Sequence, residues 1–284
     1  MCVVCTGDID PRIKTLDCSG CTTVTAIPAL YGLITLYCRG CTALTAIAVM
    51  PRLSHLYCSG CTALTTIPMM PGLTHLYCSG CTALTDITMM PYLRELNCSR
   101  CTTLTIIAAM PYLRELYCYD CTALTTIASM PRLRELICTG CTALTTIATM
   151  PSITHLYCYD CTALTTIATM PRLTHLYCIN CIALTAISAM PGLRYLECVG
   201  CTALTEIPDI PYETLRCDAR LHPENQPRLL RLQRWIRANH RYFTFQRWRR
   251  SPEGVEWIYH PEHLGGWYTK LQMARLLTTA LSDR

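Results

Sequence analysis

The ten residues LYCSGCTALT occur at 56–65 and again at 76–85, and the same 20-residue spacing runs through most of the chain. Aligned on proline, ten units begin at Pro11, Tyr31, Pro51, Pro71, Pro91, Pro111, Pro131, Pro151, Pro171 and Pro191, with tyrosine standing in the proline place of the second. None carries an insertion. So constant a period marks a stacked array, because a unit this short buries no core alone and gains one only from its neighbours. For a chain of 284 residues the organisation is therefore read from the repeat and not from length.

The shared pattern is PxLxxLxCxxCTALTxIxxM, nearly intact in PRLSHLYCSGCTALTTIPMM (51–70) and PRLTHLYCINCIALTAISAM (171–190). Leu, Cys, Leu and Ile recur where apolar side chains turn inward. The stretch CTALTxIxxMP, rich in Thr and Ile and closed by Pro, predicts an extended or short-turn return segment with no helix. At the usual strand spacing ten units span about 50 Å along the stack.

This pattern closely resembles the leucine-rich repeat, whose LxxLxLxxN/CxL core matches Leu53, Leu56, Cys58, Cys61 and Leu64. The resemblance covers about residues 11–218, and the short unit is similar to the repeats of bacterial effectors. It implies a leucine-rich-repeat solenoid: one short strand per unit, stacked in parallel on a concave face, with a mostly non-helical convex return. Residues 1–10, MCVVCTGDID, read as a truncated unit capping the first rung, with its own Cys2 and Cys5. PYETLRCD (211–218) reads as a shortened last strand ending at Cys217.

The chain has 23 cysteines. No charged-then-apolar leader precedes them in MCVVCTGDIDPRIK, and no apolar run approaches the roughly 20 residues of a membrane-spanning helix. The reading is a soluble protein of the reducing cytoplasm, without a transmembrane segment, whose thiols stay free. Cys58 takes an inward place usually held by Leu or Val, where a thiol acts as a small hydrophobe. Cys61 takes a place the family usually gives to Asn, whose side chain ties the turn to neighbouring backbone. The residue before it is Gly20, Gly40, Gly60, Gly80, Asp120, Gly140, Asp160, Asn180 or Gly200, with Arg100 the exception. Those types tolerate positive φ, so a turn accounts for the CxxC spacing. Zinc held by CxxC pairs on adjacent rungs, or a labile disulfide, is the alternative; reduced core thiols are preferred, and no cofactor is expected.

Because the units are so alike, the places where they differ carry the functional signal. After LxxLx these are Ser54-His55-Tyr57, Thr74-His75-Tyr77, Arg94-Glu95-Asn97, Arg114-Glu115-Tyr117, Arg134-Glu135-Ile137, Thr154-His155-Tyr157, Thr174-His175-Tyr177 and Arg194-Tyr195-Glu197. Strand alternation sends the last two of each triplet to the concave surface. The outcome is a tyrosine ladder (Tyr37, Tyr57, Tyr77, Tyr117, Tyr157, Tyr177) beside a stripe of His, His, Glu, Glu, Glu, His, His, with Arg94, Arg114 and Arg134 flanking the acidic middle. Tyr and Arg supply contact area with polar ends, whereas convex places are mostly Ala, Thr or Ser. The bland reading is block duplication, with Arg and Glu columns neutralising each other. Adjacent histidines also raise metal binding or titration near neutral pH, and a plain surface ladder is preferred.

No phosphate-cradling glycine loop, HExxH or nucleophile elbow is present, and abundant cysteine alone supplies no nucleophile. The preferred function is a non-enzymatic scaffold binding a protein partner on the concave face. Alternatives are the substrate-recognition part of a ubiquitin ligase, for which the tail is too short to match the catalytic domain, and a structural component of a virion.

Charge divides the chain: residues 1–218 hold 12 Lys/Arg against 14 Asp/Glu, and residues 219–284 hold 12 against 5. QPRLLRLQRWIRANHRY (226–242) has helical spacing with arginines around an apolar face, and a short amphipathic helix is predicted at about 268–281. Capping of the last rung is the preferred role; binding of nucleic acid, an acidic protein or an anionic membrane surface by the basic, aromatic stretch is the other. WIYHPEHLGGWYTKLQMARLL and FQRWRR look similar to tails of repeat proteins from large DNA viruses of amoebae, such as marseilleviruses and pithoviruses, which implies host cytoplasm or a virion as the setting.

Overall fold

A computed structural model of the chain describes residues 3–7, 9, 10, 12–208, 213–218 and 221. Each unit follows one path, shown by residues 51–70. The Leu53 amide donates to the Met50 carbonyl at 3.1 Å, closing a turn whose second residue, Pro51, brings its φ already set. Strand His55–Tyr57 follows. A second turn joins Cys58 to Cys61 (3.3 Å), and a third joins Cys61 to Leu64 (3.1 Å). The return strand Thr66–Ile67 then leads to the next proline. With so much of the unit spent on turns, no run is left for a helix.

The chain is a parallel β-solenoid. Its front sheet has 11 strands in chain order, from Thr15–Asp17 to Thr214–Cys217. Residue i pairs with i+20, as in Leu56↔Leu76, so every rung sets like above like. The final step is one residue shorter, Tyr195↔Thr214, because the last unit is cut down before its strand.

The return segment is extended, as predicted, and it also pairs into a second parallel sheet that the sequence reading did not foresee. Seven strands run from Thr66–Ile67 to Ala186–Ile187, and Ala26–Ile27 with Ala46–Ile47 form a separate pair. The break has a local cause. Ala48 N donates to Ile27 O at 3.0 Å, whereas the equivalent residue one rung on is Pro68, which has no amide proton to give. Return pairing is likewise missing at Ile207, ahead of Pro208.

The core is a set of columns. In rung 111–130, Leu113, Leu116, Cys118, Cys121, Leu124 and Met130 are fully buried, and Ile127 nearly so. Methionine is a buried column in its own right from Met50 to Met190, an inward place not assigned from the pattern although M recurs in it. Its flexible thioether fills the corner where the return strand meets the proline turn.

Two end features differ from the ten rungs. Val3–Thr6 is one helical turn, where a truncated unit is expected. Thr214–Cys217 is the closing strand. The tail's predicted helices and its capping role lie outside the described residues. No helix among the described residues is long and apolar enough to cross a membrane.

Candidate functional site

The cysteines set the rung. The second thiol of each pair donates to the carbonyl of the first cysteine one rung back, from Cys41 to Cys18 O (3.1 Å) through Cys121 to Cys98 O (3.1 Å) to Cys201 to Cys178 O (2.8 Å). Contact with the thiol of the following rung, and then burial, push Cys78, Cys98 and Cys158 well above the ordinary thiol range, so they stay protonated. Sulfurs directed at backbone carbonyls do not converge on a common point. Among the described residues no group of three or more His, Cys, Asp or Glu side chains is arranged to hold a metal.

The residue ahead of the second cysteine has positive φ in every rung, Arg100 included at 59° alongside Asp120 at 57° and Gly60 at 75°. Arg100 is thus no exception in conformation. Its turn is held in a form that costs an L side chain energy.

The front strands carry the expected surface residues in the expected direction. In each, the middle residue is buried and the flanking two are half-buried and outward: His55 and Tyr57, His75 and Tyr77, Glu95 and Asn97, Glu115 and Tyr117, Glu135 and Ile137, His155 and Tyr157, His175 and Tyr177. Rung spacing makes like rings stack. Tyr37–Tyr57, Tyr57–Tyr77 and Tyr157–Tyr177 have centroids 4.7, 4.8 and 4.8 Å apart, and His55–His75 and His155–His175 have 4.5 and 4.4 Å. Asn97 and Ile137 interrupt the tyrosine ladder and leave Tyr117 with its hydroxyl on Glu115 Oε2 at 2.9 Å. Burial, and then that carboxylate, raise the Tyr117 phenol well above its ordinary value.

The histidines have an assigned tautomer. Ser54, Thr74, Thr154 and Thr174 each spend their single hydroxyl proton on a carbonyl of the previous rung, at 3.1, 2.9, 3.0 and 2.9 Å. The same oxygens lie 2.8 to 3.0 Å from Nδ1 of His55, His75, His155 and His175. With its proton already committed, each hydroxyl accepts from Nδ1–H, which leaves Nε2 of a neutral ring as an acceptor. Burial and then the neighbouring imidazole lower the pKa of His55 and His175 from the usual 6.5, which favours that neutral form.

Arg94, Arg114 and Arg134 lie just ahead of their strands and are exposed. Among the described residues none of them pairs with a carboxylate; the ion pairs are Arg100–Asp120, Arg194–Glu213 and Arg216–Glu197. The Arg and Glu columns thus stand side by side without direct ion pairs among the described residues. Arg114 and Arg134 instead line a cavity of about 510 Å³ with Arg132, Arg172, Ser152 and Thr154. Arg132, Ser152 and Arg172 follow the turn proline and were missed from sequence. The varying residue in PxL was their signal. In the same turn column, Tyr112 lies under the Arg132 guanidinium at 4.4 Å and beside Tyr92 at 5.9 Å.

No protein-family model matches the chain, and neither does any curated protein. Among solved structures it is similar to a leucine-rich repeat protein from Bacteroides ovatus, with 16% identity, 72% of this chain and 78% of that one covered, and a TM-score of 0.33. It is also similar to a leucine rich cell surface protein from Faecalibacterium prausnitzii, with 14% identity, coverage of 73% and 83%, and a TM-score of 0.27.

Proposed function

We propose that the chain is a protein-interaction scaffold whose partner docks on the outer face of the front sheet, the face that the leucine-rich-repeat resemblance makes concave. The observation that carries this reading is two outward blocks of stacked Tyr and His rings, at rungs 51–90 and 151–190, separated by a Glu stretch whose flanking Arg94, Arg114 and Arg134 have no carboxylate partner among the described residues. Stacked rings are already immobilised in the free protein, so little side-chain entropy remains to be lost on binding. Tyr and Arg are the side chains most often found at the energetic centre of protein contacts. The guanidiniums of Arg114, Arg132, Arg134 and Arg172 surround one cavity, none of them in an ion pair among the described residues, and such a cluster selects a partner presenting carboxylates or phosphates there.

The test is a combined Arg114→Ala, Glu115→Ala, Tyr117→Ala and Tyr157→Ala variant, compared with Thr126→Ala, Thr146→Ala and Thr166→Ala on the return sheet. In affinity purification with quantitative mass spectrometry, a partner of the front face is lost from the first and retained by the second. A partner retained equally by both overturns the assignment.

A further inference from the structure

The first rung departs from the cysteine ladder. Every second-place thiol from Cys41 to Cys201 donates to a carbonyl one rung back, whereas Cys21, in the rung of the first front strand, is placed differently. Its sulfur lies instead 3.4 Å from the sulfur of Cys5, carried on the helical turn Val3–Thr6. The Thr23 hydroxyl is 3.3 Å from Cys5 Sγ and 3.4 Å from Cys21 Sγ, so three polar groups meet at one point. Cys5 is exposed and Cys21 half-buried, whereas the thiols of the rungs above are buried up to Cys217.

We propose that Cys5 and Cys21 form an oxidisable dithiol, a modification site that closes to a disulfide and fastens the N-terminal helical turn onto the first rung. The oxidant is a small-molecule disulfide such as oxidised glutathione. The Cys21 thiolate attacks one glutathione sulfur and expels the other as a thiolate. Cys5 then gives its proton to solvent and attacks Cys21 Sγ in the mixed disulfide, releasing the second glutathione. Two thiols become one disulfide and one oxidised glutathione becomes two reduced ones, so electrons and protons balance.

Position singles out Cys21 as the attacking group: Cys121 and Cys201 are also shifted downward but are buried, whereas Cys21 is reachable and lies against Cys5. Hydrogen bonding by the Thr23 hydroxyl and backbone, and then by the Cys5 thiol, lowers its pKa from 9.0 to about 6, which leaves it largely ionised at neutral pH. A thiolate of lower pKa is a weaker nucleophile, and the two effects together leave Cys21 ahead of an ordinary thiol by roughly threefold or more near pH 7. Cys217 is the internal comparison: it is half-buried and shifted upward, by burial and then Asp218. The site stands independently of partner binding on the front face, and either proposal survives failure of the other.

The experiment exposes the folded full-length protein to oxidised glutathione, quenches with an alkylating reagent, and maps thiols by mass spectrometry. The expected product is a peptide pair joined through Cys5 and Cys21, formed faster than any adduct at Cys217 and reversed by dithiothreitol. Cys5→Ser is expected to halt at a persistent glutathione adduct on Cys21, with an unchanged circular dichroism spectrum showing that the solenoid is intact. Linkage of Cys21 to another cysteine, a lasting adduct on Cys21 while Cys5 is present, or oxidation of a core thiol ahead of this pair would each overturn the proposal.

Discussion

At the scale of single residues, two cysteines that look alike in CxxC have different duties, and substitution separates them. Cys121 Sγ donates to Cys98 O, while Cys118 occupies the inward strand place among Leu and Ile columns. Cys121→Ser keeps a donor where one is used and is expected to cost at most about 1 kcal/mol. Cys118→Ser buries a hydroxyl in an apolar column and is expected to cost about 1–3 kcal/mol, read from the shift in urea midpoint. Ser99 provides the reverse case. It is fully buried with its hydroxyl unbonded, while its neighbour Ser79 donates to Asn97 Oδ1 at 2.6 Å. Ser99→Ala is therefore expected to raise stability by about 0.5–1 kcal/mol in the same measurement. The inward places were legible in the sequence because Leu, Cys and Ile barely vary. The bond made by each second thiol was not, since it depends on the register between rungs and not on spacing within one.

At the scale of elements, the paired histidine steps make front-sheet stability depend on pH. A folded-state pKa below the unfolded value means that the unfolded chain takes up protons first. The stability attached to His55 and His175 is thus present above the ordinary value of 6.5 and is lost as pH falls through their lowered folded values. Two protonated rings 4.5 Å apart, as at His55 and His75, repel by about 1 kcal/mol even at the dielectric of water. Urea midpoints are expected to fall as pH drops below about 6.5, and a His55→Gln, His175→Gln variant is expected to flatten that fall. The return sheet offers a second check. Pro68→Ala supplies the missing amide, so hydrogen exchange should show protection at residue 68 where the two return sheets now stop; net stability should change by less than about 1 kcal/mol, because the unfolded chain also regains freedom. Alternation along a strand made His55 and Tyr57 predictable as outward neighbours. Arg132 and Arg172 were marked only by variation at the x of PxL; their direction was not predictable, because it is set by how successive turns stack.

At the scale of the whole molecule, an unbroken i to i+20 register makes rungs interchangeable parts. Excision of residues 111–130 joins Met110 to Pro131, the same Met–Pro step as at every rung boundary from Met50 to Met190. The shortened protein is expected to fold with an unchanged circular dichroism shape per residue and an m-value about a tenth lower, as one rung less surface is exposed on unfolding. The same excision removes Arg114 from the cavity and shifts the acidic stretch against the histidine steps, so partner capture should weaken even though folding does not. The buried thiols give this array one further property. From the second rung to the tenth, each hides two thiols that react only when that rung opens, so the order in which those cysteines take up an alkylating reagent is a rung-by-rung record of where the stack frays and how far the opening spreads.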